Sequence, residues 1–422
     1  MMNSEKNRWL IAASAIAIHV SIGAAYAYSV YTQPLVEAKG WSVASVTTAF
    51  TIMMVLGGGS AALFGRFVEK SGPRKSAMLA AVLFSVGQAG SGFAISMDSL
   101  TLFLLSYGLL SGLGLGIGYI SPVSTLVKWF PDKRGLATGM AVLGFGTGAL
   151  VTAPVAASLI ESIGISYTFY ILGASYFIMM MLGASYIAPP PKEWLPAGMK
   201  AAVDAGTQKI KKDLRQATGA QAVKTRHFWM LWVMMLINTS AGIMMISVAS
   251  PMAQNIAGLS AGAAATMVGL MGIFNGGGRL GWAAASDYIS RPKVFIIFFV
   301  IQLIAFIALP LTVSTIIFQL LIFLVVSCYG GGFSNLPAFI GDLFGTKELG
   351  AIHGYLLTTW SLGGLIGPTL VSQIYTRTGS YIPVFYVFTG LILIALIVSI
   401  LLNRSIKKAR EKRDEYELST TE

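Results

Sequence analysis

The 422-residue sequence is 55% hydrophobic and only 11% charged, under half the charged share that keeps a soluble domain wet. That excludes a water-soluble globular protein and leaves room for about a dozen bilayer spans of about 20 residues each. The net charge of +12 follows loops rather than a basic patch, so no nucleic-acid partner is expected.

Apolar runs predict helices at 9–34, 43–65, 75–95, 100–127, 135–160 and 165–189, then at 227–252, 260–286, 293–312, 315–340, 349–373 and 380–403. The polar start, Met1–Arg8, and the long run from Trp9 predict a first span rather than a cleaved signal. Sorting the 29 Lys and Arg onto alternate sides of this map puts 26 on one side and two, Lys39 and Arg377, on the other, with Arg279 left inside a span. Basic residues mark cytoplasmic loops. Both termini are therefore expected in the cytoplasm, in a multi-pass protein of the plasma (inner) membrane.

The fold expected is all-α and integral to the membrane, with twelve transmembrane helices in two pseudo-symmetric six-helix bundles. Residues 1–189 form the first bundle and 227–403 the second. Between them, 190–226 reads as a solvated cytoplasmic linker carrying eight Lys or Arg, within which 209–216 is a candidate surface helix. Residues 404–422 read as a cytoplasmic tail whose basic part can touch anionic headgroups. The halves repeat at a near-constant offset: Pro34 and Pro251, read as closing spans one and seven, Glu69 and Asp287 after spans two and eight, and Pro154 and Pro368 in spans five and eleven. A duplicated bundle of this kind places its binding site near the midplane, between the halves.

Gly65-Arg66-Phe67-Val68-Glu69-Lys70-Ser71-Gly72-Pro73-Arg74 resembles the loop motif of the major facilitator superfamily, with Glu for the usual Asp and Pro73 for the usual Arg. The second copy, 283–291, keeps Asp287 and Arg291 but has Ala and Ser where glycines are usual. Trp129-Phe130-Pro131-Asp132-Lys133-Arg134-Gly135-Leu136-Ala137 before span five, Tyr26 to Pro34 in span one, and Phe274–Arg279 in span eight resemble the monocarboxylate transporter and oxalate:formate antiporter branch. The resemblance implies the major facilitator fold and a carrier of small carboxylates. It also implies a cytoplasmic ion-pair latch at Glu69, Arg74, Asp287 and Arg291, for which solvated loop charges are the plainer alternative.

Arg279 carries most of the chemistry. An arginine at the centre of a span costs about 2.5–3.5 kcal/mol even on the lenient insertion scale, so its default reading is functional. Its planar fork matches a carboxylate and keeps its proton. Asn275, one turn earlier, lies on the same face. Snorkelling of the long stem to the nearer membrane surface is the alternative. All 17 Asp and Glu fall at span ends or in loops, so a monocarboxylate neutralises the site whereas a dicarboxylate leaves a charge unpaired. The resemblance adds Tyr26, Tyr119, Tyr329, Phe333 and Trp360 as binding residues. Trp360 stands where the oxalate antiporters carry a second cation, a lysine, and Asn275 where monocarboxylate transporters usually carry an Asp.

His19 and His353 are the candidates for proton coupling. Packing of His19, an interfacial place for His353, and a proton travelling on the substrate carboxyl remain open. The single Cys328 permits no intramolecular disulfide, and the three histidines are scattered, so no metal, cofactor or enzymatic activity is expected. The partners expected are a monocarboxylate anion such as lactate or pyruvate, a proton and the bilayer. Exchange of the oxalate:formate type is the alternative. A monomer suffices for transport, and the oligomeric state stays open.

Overall fold

The computed structural model describes residues 6–191, 194–205 and 213–419. Half of the candidate surface helix at 209–216, residues 209–212, lies outside them, and 213–216 is not helical. Among the described residues, twelve long helices follow in chain order. The first, α1, runs through Arg8–Gly23, a 3-10 turn at Ala24–Ala27, and Ser29–Lys39. Val43–Ser96 is two helices, α2 (43–71) and α3 (73–96), divided at Gly72. Next, α4 is built from Leu100–Phe103, a π-helical stretch Leu104–Leu110 and Ser111–Trp129. Then come α5 (Arg134–Ile163), α6 (Ile165–Tyr186), α7 (Arg226–Ala257) and α8 (Ala261–Ile289). The last four are α9 (Arg291–Ala308), α10 (Thr315–Phe344), α11 (Leu349–Thr378) and α12 (Ile382–Ser419).

Nine helices among the described residues are long and apolar enough to cross a membrane by length and composition, with the double helix α2–α3 counted once. The two left out, α8 and α11, have 29 and 30 residues and so the length to span. Their apolarity is diluted by Gly, Ser and Thr, by Arg279 in α8, and by His353 in α11. The helices poorest in hydrocarbon are thus two that carry proposed site residues.

The duplication is written in the helix caps. Asn7, Ser42 and Ser99 cap α1, α2 and α4 by accepting from backbone N–H groups of the first turn, and Thr225, Ser260 and Ser314 cap α7, α8 and α10 in the same way. Each cap satisfies a donor that the helix leaves open. Gly72, with φ 79 and ψ 164, occupies backbone space that L side chains avoid, and Pro73 then starts α3 without needing a donor. The corresponding turn between α8 and α9 uses Ser290 at φ 87 and ψ 140, so a side chain sits where the first half uses glycine.

The expectation that Pro34 and Pro251 close their spans is corrected. Helix continues past them, to Lys39 and to Ala257. A membrane helix tolerates an interior proline when neighbours and local tightening re-satisfy the freed carbonyl, and in α1 the irregular turn lies upstream at Ala24–Ala27.

The chain divides into two compact units, Met1–Lys209 with Glu348–Ser361, and Ile210–Lys347 with Leu362–Glu422. The first turns of α11 therefore group with the first unit and the rest of that helix with the second. In the second unit, part of the linker is packed rather than solvated. The N–H groups of Leu214 and Ala217 donate to Asp342 O at 2.9 Å and Phe344 O at 2.8 Å, satisfying carbonyls that the end of α10 leaves open. Arg215 also donates to His227 Nδ1 at 2.9 Å.

Candidate functional site

In the second unit, Arg279 is 1% exposed, so it does not snorkel to water. Its Nε donates to Asn275 Oδ1 at 3.1 Å, the i to i+4 contact that one helical turn provides. The guanidinium carbon lies 5.7 Å from the Phe333 ring centroid, within cation–π range, and Phe333 meets Tyr329 edge-on at 5.3 Å. These rings reach α8 because α10 comes close at Gly330. A Cβ there would strike Asn275 O and lie 3.1 Å from Arg279 Cγ. Four expected residues, Arg279, Asn275, Tyr329 and Phe333, therefore form one neighbourhood. Asn275 orients the fork without neutralising it.

Beneath that neighbourhood lies a polar support that the sequence reading missed. Gln302 in α9 donates to Asn238 Oδ1 at 2.7 Å, and Asn238 in α7 donates to Tyr329 O at 3.5 Å. Both amides are fully buried. Their signal was available: a carboxamide in mid-span is rare and seeks a partner.

In the first unit, Tyr26, His19, Tyr119, His353 and Trp360 come together around Phe145, which sequence reasoning also missed. The His19 ring stacks on Tyr119 with centroids 5.1 Å apart and planes at 22°. Tyr119 lies 5.8 Å from both His353 and Trp360. Phe145 contacts Tyr26 at 5.0 Å, Tyr119 at 5.4 Å and Trp360 at 5.7 Å. Apart from Tyr26, these rings are buried. His353 is 0% exposed. The glycine row of α4 serves packing: a Cβ on Gly114 or Gly116 would strike the backbone of α3 or α2 within 2.5 Å. The row fixes the helix that presents Tyr119.

The residues expected to form the latch are placed as follows. Glu69 accepts from Lys128 Nζ at 3.0 Å and from the backbone N–H of Gly350 at 2.6 Å. Arg74 does not pair with it in these contacts but donates to Ser185 O. In the second unit, Arg291 bridges Asp287 at 2.6 Å and Asp342 at 3.0 Å, with the Arg291 side chain 5% exposed. Lys128 and Asp342 were not singled out in the sequence, yet they occupy matching helix ends, α4 and α10. At these two matching positions the sign is exchanged, while Glu69 and Asp287 are both acids and Arg74 and Arg291 both basic. Outside the spans, burial and then the nearby Arg74 hold the Lys6 ammonium below its ordinary range, while its Nζ donates to Tyr186 O at 2.6 Å.

Comparison with known proteins accords with this architecture. The oxalate:formate antiporter of Oxalobacter formigenes is 28% identical over 382 residues, 88% of this chain and 86% of that protein. Monocarboxylate transporter 12 of Xenopus laevis is 26% identical over 322 residues, covering 73% and 69%. The crystal structure of the human organic anion transporter MFSD10 (TETRAN) superposes with a TM-score of 0.71 at 14% identity, over 94% of this chain and all of that one, which shows a shared fold. Such proteins are transporters rather than enzymes. The model of the Major Facilitator Superfamily matches residues 14–368 and again 239–421, and the chain belongs to that family.

Proposed function

We propose that the protein is a secondary active transporter of small monocarboxylates, of the lactate and pyruvate type, coupled to protons. It works by alternating access in the plasma (inner) membrane with both termini cytoplasmic. The observation that carries this reading is Arg279, buried in α8, its Nε turned by Asn275 and its face over Phe333. A charge-assisted bond to a carboxylate contributes about 1.5–3 kcal/mol, enough to select an anion and still let it go. Tyr329 and Phe333 supply rings for the hydrocarbon end, and Tyr26, Tyr119 and Trp360 are the further candidates for substrate contact. The 26-to-2 distribution of basic residues supports the orientation. The carboxylate carriers among the relatives support the substrate class.

Anion exchange of the oxalate:formate type is the second reading, favoured by the coverage of the antiporter relative. Trp360 weighs against a dianion, because it is an uncharged ring where those antiporters carry a lysine. Uptake of radiolabelled lactate into proteoliposomes, with and without an inward proton gradient, separates the two. Gradient-driven accumulation that Arg279→Ala abolishes is the expected result. Uptake that ignores the gradient and requires internal anion would replace symport by exchange.

A further inference from the structure

We infer that His19, and not His353, is the group that carries the proton accompanying the anion; this rests on the proton-coupled reading above. A side chain with that task needs, in its loaded state, an acceptor for an N–H at each ring nitrogen. His19 has both. Its Nδ1 lies 2.8 Å from Ala141 O in α5, and its Nε2 lies 3.1 Å from Tyr119 O in α4. A neutral imidazole donates from one nitrogen only and turns a lone pair outward at the other. Against two carbonyl oxygens, only the imidazolium satisfies both contacts.

The site is not indifferent to that charge. His19 is 0% exposed, and a buried cation is costly unless paired. Two carbonyl bonds and the stacked Tyr119 face offset part of the cost, and an anion held against Tyr119, a candidate substrate contact of the same unit, would offset more. The proton enters the imidazole from water on one side when the anion arrives and returns to water on the other side when it leaves. His353 lacks this equipment: it is buried, yet neither ring nitrogen has a hydrogen-bond partner among the described residues.

The titratable groups facing His19 in the described contacts are Tyr119 from α4 and, across the Tyr119 ring, His353 from α11. From α5 it meets Ala141, Gly144 and Phe145, none of them ionisable. From α6, Gly183 packs on the adjacent Ile18.

The chain has only three histidines, so ring nitrogen NMR of histidine-labelled protein in nanodiscs is tractable. His227→Gln and His353→Gln assign the His19 signals while leaving His19 intact. Spectra would be taken across about pH 5–8, the range of histidine titration, with and without saturating L-lactate. The expected result is that His19 shows two protonated-type nitrogens when lactate is bound and gains them at higher pH than in its absence. A lone-pair nitrogen on His19 in the lactate-bound protein at every pH would overturn the inference. In proteoliposomes, His19→Gln is expected to lose gradient-driven accumulation, internal lactate falling to the external level, while exchange of labelled for unlabelled lactate persists. Accumulation surviving in His19→Gln and lost in His353→Gln would transfer the role to His353. If instead the wild-type protein neither binds nor moves lactate in either assay, the monocarboxylate reading itself fails.

Discussion

Glu69 accepts the backbone N–H of Gly350 at 2.6 Å, so an acid in the last turn of α2 caps the first turn of α11. That N–H is one of the donors a helix leaves unsatisfied at its start, and a carboxylate there also meets the positive end of the helix dipole. The loop motif is usually described by its charges, but here the acid's shorter contact is to backbone, with Lys128 second at 3.0 Å.

The two contacts predict an order of mutational effects. Glu69→Ala removes a charge-assisted bond and strands a buried donor, at a cost of about 1.5–3 kcal/mol. Lys128, a quarter exposed, contributes as a partly screened pair, so Lys128→Ala should cost about 1 kcal/mol or less. Glu69→Gln should fall between, since an amide oxygen still accepts from Gly350. Thermal unfolding of the three variants in detergent checks the order. Equal losses for Glu69→Ala and Lys128→Ala would mean that the ion pair, not the helix cap, dominates.

The paired turns give a prediction of opposite sign. Ser290 holds φ 87 and ψ 140, a conformation that costs a non-glycine residue about 1–3 kcal/mol. Ser290→Gly should therefore raise the melting temperature, even after the entropy glycine adds to the unfolded chain. Gly72→Ser, the reverse change at the matching turn, should lower it. A fall for Ser290→Gly would show that the serine side chain contributes more than its backbone strain costs.

Much of this was legible in the residues, for reasons that also explain the gaps. Arg279 stood out because a charge inside an apolar run has no ordinary explanation. Lys128 and Asp342 passed unnoticed because each ends a helix where a charge is common. The repeat offset that linked Glu69 to Asp287 also links Lys128 to Asp342, but with the sign reversed, and a search for like residues does not find it. Phe145 looked like any span aromatic, since nothing local tells a ring packed among site residues from one facing lipid. Pro34 and Pro251 misled because the soluble-protein rule, that proline ends a helix, weakens in a membrane.

The buried amides under Tyr329 make a third test. If Asn238 and Gln302 hold α7, α9 and α10 in register, Asn238→Leu and Gln302→Leu should each destabilise by stranding the partner amide. The double variant should recover part of the loss, because removing both partners leaves no orphaned amide. Interhelical hydrogen bonds in membranes show couplings of about 0.6 kcal/mol on average and about 1.7 kcal/mol at most. Additive losses in thermal unfolding would assign the pair no joint role.

The last prediction concerns what Asn275 withholds. Its Oδ1 sits 3.1 Å from Arg279 Nε, so Asn275→Asp would place a carboxylate on the guanidinium with almost no change of shape. The internal anion then competes with the substrate for the same charge, and the empty protein gains a stabilising ion pair that must be weakened on binding. If the new pair contributes about 1.5–3 kcal/mol, substrate affinity falls roughly ten- to a hundredfold, since each 1.4 kcal/mol is tenfold. The KM for lactate in proteoliposomes should rise accordingly, and binding should recover as acid protonates the new carboxyl. Stability should not fall, which separates competition from unfolding. An unchanged KM would mean that Asn275 and Arg279 meet each other but not the cargo, and the carboxylate site would have to be sought elsewhere.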